Sequence, residues 1–200
     1  MKKQVLVIHG GDAFSTYEEY INFLKDYKLD PARFKQKDWK SSLEKKLGKE
    51  FEVILPTMPN KFNAKYLEWK IWFEKLFAFL ENEIVLVGHS FGGTFLAKYL
   101  SEEKFPKTIK GTFLVSSPYD VDSGRKVVEF VLPSSLELLE NQGGEIFLYH
   151  SHDDEVVPFS ELEKYQHALP NAHAKIFKDR GHINQERFPE LIEDILTLAS

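Results

Sequence analysis

Along the 200-residue chain, short apolar runs recur at 5–8, 51–55, 84–87, 109–116, 145–149 and 174–177. The central runs are apolar at consecutive positions, as strands covered on both faces are. Between or after them, helical spacing recurs at 64–81, 94–103, 134–141, 158–168 and 188–199. This alternation predicts an α/β fold, a mostly parallel sheet of about six strands with helices on both faces. Within 64–81, Leu67, Ile71, Phe73, Leu76, Phe77 and Leu80 read as the inward face, and Lys65, Glu68, Lys75 and Glu81 as the wet one. Trp69 and Trp72 read first as core and second as the edge of a substrate cleft.

Residues 12–50 interrupt the alternation with a polar, aromatic-rich insertion carrying Tyr17, Tyr20, Phe23, Tyr27, Phe34 and Trp39. A connection of this length is expected to hold helices of its own, one over 16–25 and another over 41–47, with Asp30-Pro31 as a turn between them. No repeat or low-complexity tract divides the chain. A hydrophobic content of 42% can fill a substantial core, so 1–200 is expected to form a single domain with 12–50 as a helical insertion after the first strand.

Composition removes several classes of function. The formal charge of -5 offers no general attraction for phosphate backbones, so no nucleic-acid partner is expected. The chain has no cysteine, which excludes disulfide frameworks, zinc-thiolate sites and a cysteine nucleophile. No apolar run approaches the roughly 18 residues of a membrane helix, so no membrane insertion is expected. The opening residues, 1–8, read as a strand rather than a signal peptide because His9-Gly10-Gly11 ends their apolar run early. A cytoplasmic location is the expectation.

The chemistry concentrates where the strand at 84–87 runs through Gly88-His89-Ser90-Phe91-Gly92 into a helical pattern containing Thr94, Leu96, Ala97, Tyr99 and Leu100. A Gly-x-Ser-x-Gly placed between strand and helix puts the serine on a sharp turn above the carboxyl end of a sheet. Ser90 is therefore the candidate nucleophile. It needs a base, and the base needs an orienting group. His182 is the first candidate base, because Asp179-Arg180-Gly181-His182 follows the last apparent strand and precedes the final helix. His89 should point away as part of the turn, His150 and His152 read as loop packing, and His167 and His173 as surface.

The loop 151–158 leaves the penultimate strand with Asp153, Asp154 and Glu155. Asp154 is the first candidate acid and Asp153 the second, with Asp120 and Asp122 as alternatives after the preceding strand; a helix-start acidic loop is the competing reading. Backbone N–H groups of Phe91 and of Gly11 or Asp12 are the candidate oxyanion donors. Asp12, Phe14, Tyr119 and Phe159 are candidate substrate contacts, although ordinary packing explains aromatic residues equally well.

With these residues in view, the chain is identified as a member of the α/β-hydrolase superfamily. It resembles the small branch of serine hydrolases that includes retinoblastoma-binding protein 9 and bacterial YdeN. The resemblance is carried by 5–11, 88–93, Ser116-Ser117-Pro118, 153–158 and Gly181-His182. It implies a nucleophile at Ser90, an acid at Asp154, a base at His182, oxyanion donors after His9-Gly10 and at Phe91, and a first strand internal to the sheet. It also implies hydrolysis of small acyl esters with neither cofactor nor metal. Thioesterase, amidase or acyltransferase chemistry, or a non-catalytic binding role, are the alternatives. The long 12–50 insertion departs from the family pattern, and is expected to shape substrate access or to serve a protein partner or self-association.

Overall fold

Alternation inside the buried strands builds the core from both sides of one sheet. In the computed structural model, which describes residues 2–31, 37–120 and 128–199, six parallel strands are ordered β2-β1-β3-β4-β5-β6. They are β1 (Lys3–Ile8), β2 (Phe51–Ile54), β3 (Ile84–His89), β4 (Ile109–Val115), β5 (Glu145–Ser151) and β6 (His173–Phe177). Even-numbered side chains such as Leu6, Ile8, Leu86, Leu114 and Leu148 enter one apolar cluster. Odd-numbered ones such as Val5, Val7, Val87, Phe113, Val115 and Tyr149 enter another. A period of two with both faces covered explains why these segments read as unbroken apolar runs.

The helices are α1 (Tyr17–Asp26), α2 (Leu43–Leu47), α3 (Tyr66–Leu76), α4 (Phe91–Glu102), α5 (Glu137–Gln142), α6 (Phe159–Ala168) and α7 (Pro189–Leu198). Residues of α3, α4, α5 and α6 fill the first cluster. Those of α2 and α7 fill the second, together with Trp39. The register sets β1 beside β3 with Ile8 opposite Gly88, and β3 beside β4 with His89 opposite Val115. The carboxyl ends of β1, β3 and β4 therefore converge on the turn that carries Ser90. Among the described residues no helix is long and apolar enough to cross a membrane.

Both expected helices of the 12–50 segment form, but they play different parts. A capping box between Thr16 and Glu19 starts α1, which buries none of its residues. The second helix is preceded by a 3-10 turn, Trp39–Ser42, capped by the Asp38 carboxylate, and it buries Leu43 and Leu47 one turn apart. Phe34, and the alternative acid Asp122, fall outside the described residues.

The inward face of α3 differs from expectation at two positions, Leu67 and Ile71, while Phe73 and, beyond the helix, Leu80 are buried and Leu76 and Phe77 pack on the core as expected. Leu67 and Ile71 are 63% and 48% exposed, and Trp72 is exposed as well, whereas Trp69 and Phe73 are fully buried. Two apolar stripes run along this helix, and periodicity alone cannot choose between them. Packing selects the stripe with the larger rings: Trp69 meets Phe91, Phe95 and Phe130 edge-on, and its Nε1–H donates to the Pro59 carbonyl at 2.8 Å. A buried indole needs such an acceptor, so Trp69 is core and does not edge a cleft.

The start of α4 sits hard against the end of β1. A Cβ added at Gly92 would lie 2.3 Å from the Ile8 carbonyl oxygen and 2.5 Å from that of His9. Both obstacles are backbone, and neither can rotate away. Gly92→Ala is therefore expected to destabilise the fold by about 3 kcal/mol, read in a thermal melt as a loss of roughly 6 to 12 °C. An unchanged melting temperature would contradict this close approach.

Candidate active site

Ser90 occupies the turn between β3 and α4 with φ 53° and ψ -126°, a left-handed backbone that side chains rarely adopt. The turn is held from below, because the Ser90 N–H donates to the Val115 carbonyl at 2.7 Å. Phe91 opens α4, so its N–H has no partner within the helix and faces the end of the helix where negative charge is favoured. Gly10 lies against the serine: a Cβ there would come within 3.1 Å of Ser90 Cβ and 3.5 Å of its Oγ.

The segment after β1 is stitched to the loop before α3. His9 Nε2 accepts from the Met58 N–H at 2.9 Å, so the ring proton resides on Nδ1, which donates to the Gly10 carbonyl at 2.7 Å. The Asp12 N–H donates to the Lys61 carbonyl, and the Asp12 carbonyl accepts from the Ala64 N–H, each at 2.8 Å. This bears on the choice between Gly11 and Asp12. With its N–H committed to Lys61, Asp12 is not the second oxyanion donor, and of the two alternatives Gly11 is left.

Asp154, rather than Asp153, meets His182. The Asp154 carboxylate stands 2.9 Å (Oδ2) and 3.1 Å (Oδ1) from His182 Nδ1. Its Oδ1 also accepts from the Val156 and Val157 N–H groups, each at 2.9 Å. Burial raises the tendency of this carboxyl to hold a proton, but the His182 contact and the two backbone donors outweigh it and keep the group below the usual carboxylate range. An ionised Asp154 places the ring proton of His182 on Nδ1 and leaves Nε2 as an acceptor.

Asp153 is engaged elsewhere. Its Oδ1 accepts from the Gly181 N–H at 2.8 Å, so it holds the backbone just ahead of the histidine. Asp120 is paired with Lys164 and has no contact with His182.

Among the described residues no hydrogen bond joins Ser90 Oγ to His182. Such contacts are often long without a substrate and tighten in the reactive complex. The two loops are nevertheless bound to each other, since His89 Nε2 is 2.9 Å from the His182 carbonyl and the two rings lie 5.0 Å apart. His89 is thus engaged with the backbone of the His182 loop. His150 packs inward, with Nε2 on the Val157 carbonyl at 2.9 Å, while His152, His167 and His173 are exposed.

The expected substrate contacts are engaged in packing. Phe159 stacks on His152 with centroids 3.9 Å apart, Tyr119 meets Tyr165 edge-on, and Phe14 packs on Tyr20 and Phe23 of α1. Glu161, fully buried, accepts from the Tyr119 and Asp120 N–H groups and so pins the turn after β4. Nothing in its surrounding sequence marks that role. The contacts of Trp39, Lys40, His9 and Met58 also escaped sequence reasoning, because their partners lie far away along the chain.

Burial holds His9, His89 and His150 below the ordinary histidine value of 6.5, with the Lys40 ammonium adding to the effect at His89. All three bind a proton less readily in the fold than in the unfolded chain, where histidines take up protons as pH falls through about 6.5. Below that point the unfolded state binds more protons, so stability is complete above it and is lost on acidification. At a ceiling of about 1.4 kcal/mol per pH unit and group, lowering the pH from 7.5 to 5.5 is expected to reduce stability by no more than about 4 kcal/mol, measured by urea unfolding. A flat profile over this range would contradict it.

Comparison with known proteins adds a family. Residues 33–195 match the sequence family described as serine hydrolase. A search of curated protein sequences returned no match. Among solved structures, the ydeN gene product of B. subtilis superposes with a TM-score of 0.79 at 20% identity, covering 99% of each chain. A protein described as a YdeN-like hydrolase from Pectobacterium atrosepticum gives 0.69 at 13% identity, covering 99% of this chain and 91% of that one. A meta-cleavage product hydrolase from Pseudomonas fluorescens IP01 gives 0.64 at 15% identity, with 98% and 90% covered. At these identities the likeness is one of fold, the α/β-hydrolase fold.

Proposed function

Because the chain belongs to the serine hydrolase family, we propose that it cleaves small carboxylic acyl esters through Ser90, His182 and Asp154. The observation that carries this reading is the Asp154 carboxylate on His182 Nδ1, in a loop bound to the strand-to-helix turn of Ser90. His182 Nε2 takes the Ser90 hydroxyl proton as Oγ bonds to the acyl carbon. The carbonyl oxygen becomes an oxyanion, met by the Phe91 and Gly11 N–H groups. The tetrahedral adduct then expels the alkoxide, which leaves as an alcohol with the proton from His182. Water repeats the sequence on the acyl-enzyme, giving His182 its proton and releasing the acid with Ser90 restored.

The ester class rests on the family resemblance. Structural neighbours of this fold carry different reactions, so the substrate is decided at the site and not by the fold. A fluorophosphonate probe tests the nucleophile: a single adduct on the Ser90 peptide by mass spectrometry is expected, and no adduct under conditions that label an active serine hydrolase would overturn the reading. Matched ester, thioester and amide substrates then test the leaving-group class, with the ester expected to turn over fastest.

A further inference from the structure

Part of the insertion between β1 and β2 is docked on the loop that carries His182. Trp39 and Leu43 pack with Ile183, Phe188, Leu191 and Ile195 in the second apolar cluster. The Trp39 Nε1–H donates to the Ile183 carbonyl at 2.9 Å in a fully buried hydrogen bond. One residue earlier, His89 engages the His182 carbonyl at 2.9 Å. Two consecutive carbonyls, those of the histidine itself and of its successor, are therefore gripped from two different elements.

The direction of the His89 bond follows from Lys40. Its ammonium faces His89 Nδ1 at 3.5 Å and is paired with Asp38 at 2.7 Å. An ammonium has no lone pair and only donates, so Nδ1 is kept bare and the ring proton sits on Nε2, aimed at the His182 carbonyl. Trp39 closes the assembly edge-on against the His89 ring, with centroids 6.0 Å apart.

The gripped backbone is one that needs holding. Ile183 is β-branched and sits at φ 47°, and Gly181 at φ 50° precedes the histidine. A β-branched residue in the left-handed region is strained and persists only where its surroundings fix it. Small displacements of a catalytic base are costly in rate, so anchors on this backbone bear directly on His182.

Resting on the reading of His182 as the base, we propose that Trp39, Lys40 and His89 are positioning residues that clamp the His182 and Ile183 carbonyls, with Trp39 and Lys40 supplied by the insertion. Trp39 holds the peptide after the base, His89 holds the base's own peptide, and Lys40 selects the His89 tautomer able to do so. The insertion thus contributes to the reaction without touching the substrate.

The test uses the full chain and p-nitrophenyl acetate, comparing Trp39→Phe, His89→Leu and His89→Gln with the unsubstituted protein and with Ser90→Ala. Trp39→Phe keeps a ring and removes the N–H, His89→Leu removes the donor, and the Gln amide of His89→Gln can still donate to the same carbonyl. Trp39→Phe and His89→Leu are expected to lower kcat about 10- to 100-fold with KM within about twofold, while His89→Gln recovers kcat to within about fivefold. Backbone amide exchange over 181–184 is expected to accelerate in the first two and not in the third.

Unchanged kcat in Trp39→Phe, a variant expected to fold, overturns the clamp. So does a His89→Gln as deficient as His89→Leu. Full activity in Ser90→Ala would instead overturn the hydrolase reading, and amide exchange at 181–184, which needs no turnover, would then decide the clamp by itself.

Discussion

Replacing Ser90 with alanine is expected to lower kcat for an acyl ester by about 10⁶-fold, leaving only the residual rate that oriented donors can supply. The expected loss is this large because, under the proposed mechanism, the acyl-enzyme route ends altogether. No neighbouring hydroxyl occupies the left-handed turn at the end of β3, where backbone at φ 53° lifts the side chain above the sheet. Alanine removes one oxygen from a half-buried position, so the thermal melt should shift little. Normal folding, lost turnover and lost phosphonate labelling together would identify Ser90 as the nucleophile. Retention of more than a hundredth of the rate would reject it.

Asp154→Asn should cost about 10⁴-fold in kcat, with little effect on KM. The carboxylate accepts from His182 Nδ1 at 2.9 Å and fixes the proton there. An amide in its place can present N–H₂ to the same nitrogen, which turns the ring to the tautomer protonated on Nε2 and removes the base. The adjacent Asp153→Asn is the informative control: its side chain accepts from the Gly181 N–H and has no contact with the imidazole, so its effect should be at least about 100-fold smaller. Equal losses in the two variants would mean that the neighbouring carboxylates act as a unit on the loop instead of in separate roles.

The difference between these two aspartates shows where sequence reasoning stops. Both follow β5 and both are acidic, and a one-residue offset is invisible to spacing. The choice is made by the path of the loop, which folds the Val156 and Val157 N–H groups back onto Asp154 and leaves Asp153 facing Gly181. The same limit explains α3. Its two apolar stripes satisfy the helical period equally, and only the rings of Phe91, Phe95 and Phe130 on other elements select Trp69 and Phe73 for burial.

Asp12 is a third case. As a backbone donor it was indistinguishable from Gly11 until the loop before α3 supplied the Lys61 carbonyl that claims its N–H.

By itself the sequence determined the six strands, the alternation that covers the sheet on both faces, and the strand-to-helix turn that exposes Ser90. These depend on interactions that are local along the chain: side-chain period within each element and the Gly-x-Ser-x-Gly spacing between strand and helix. The tertiary structure alone decided that Asp154 meets His182, that the Asp12 N–H is claimed by the Lys61 carbonyl, and that Trp39 and Lys40 reach the loop bearing His182. Each of those contacts pairs groups from distant parts of the chain, and their geometry exists only once the sheet has brought the loops at its carboxyl edge together.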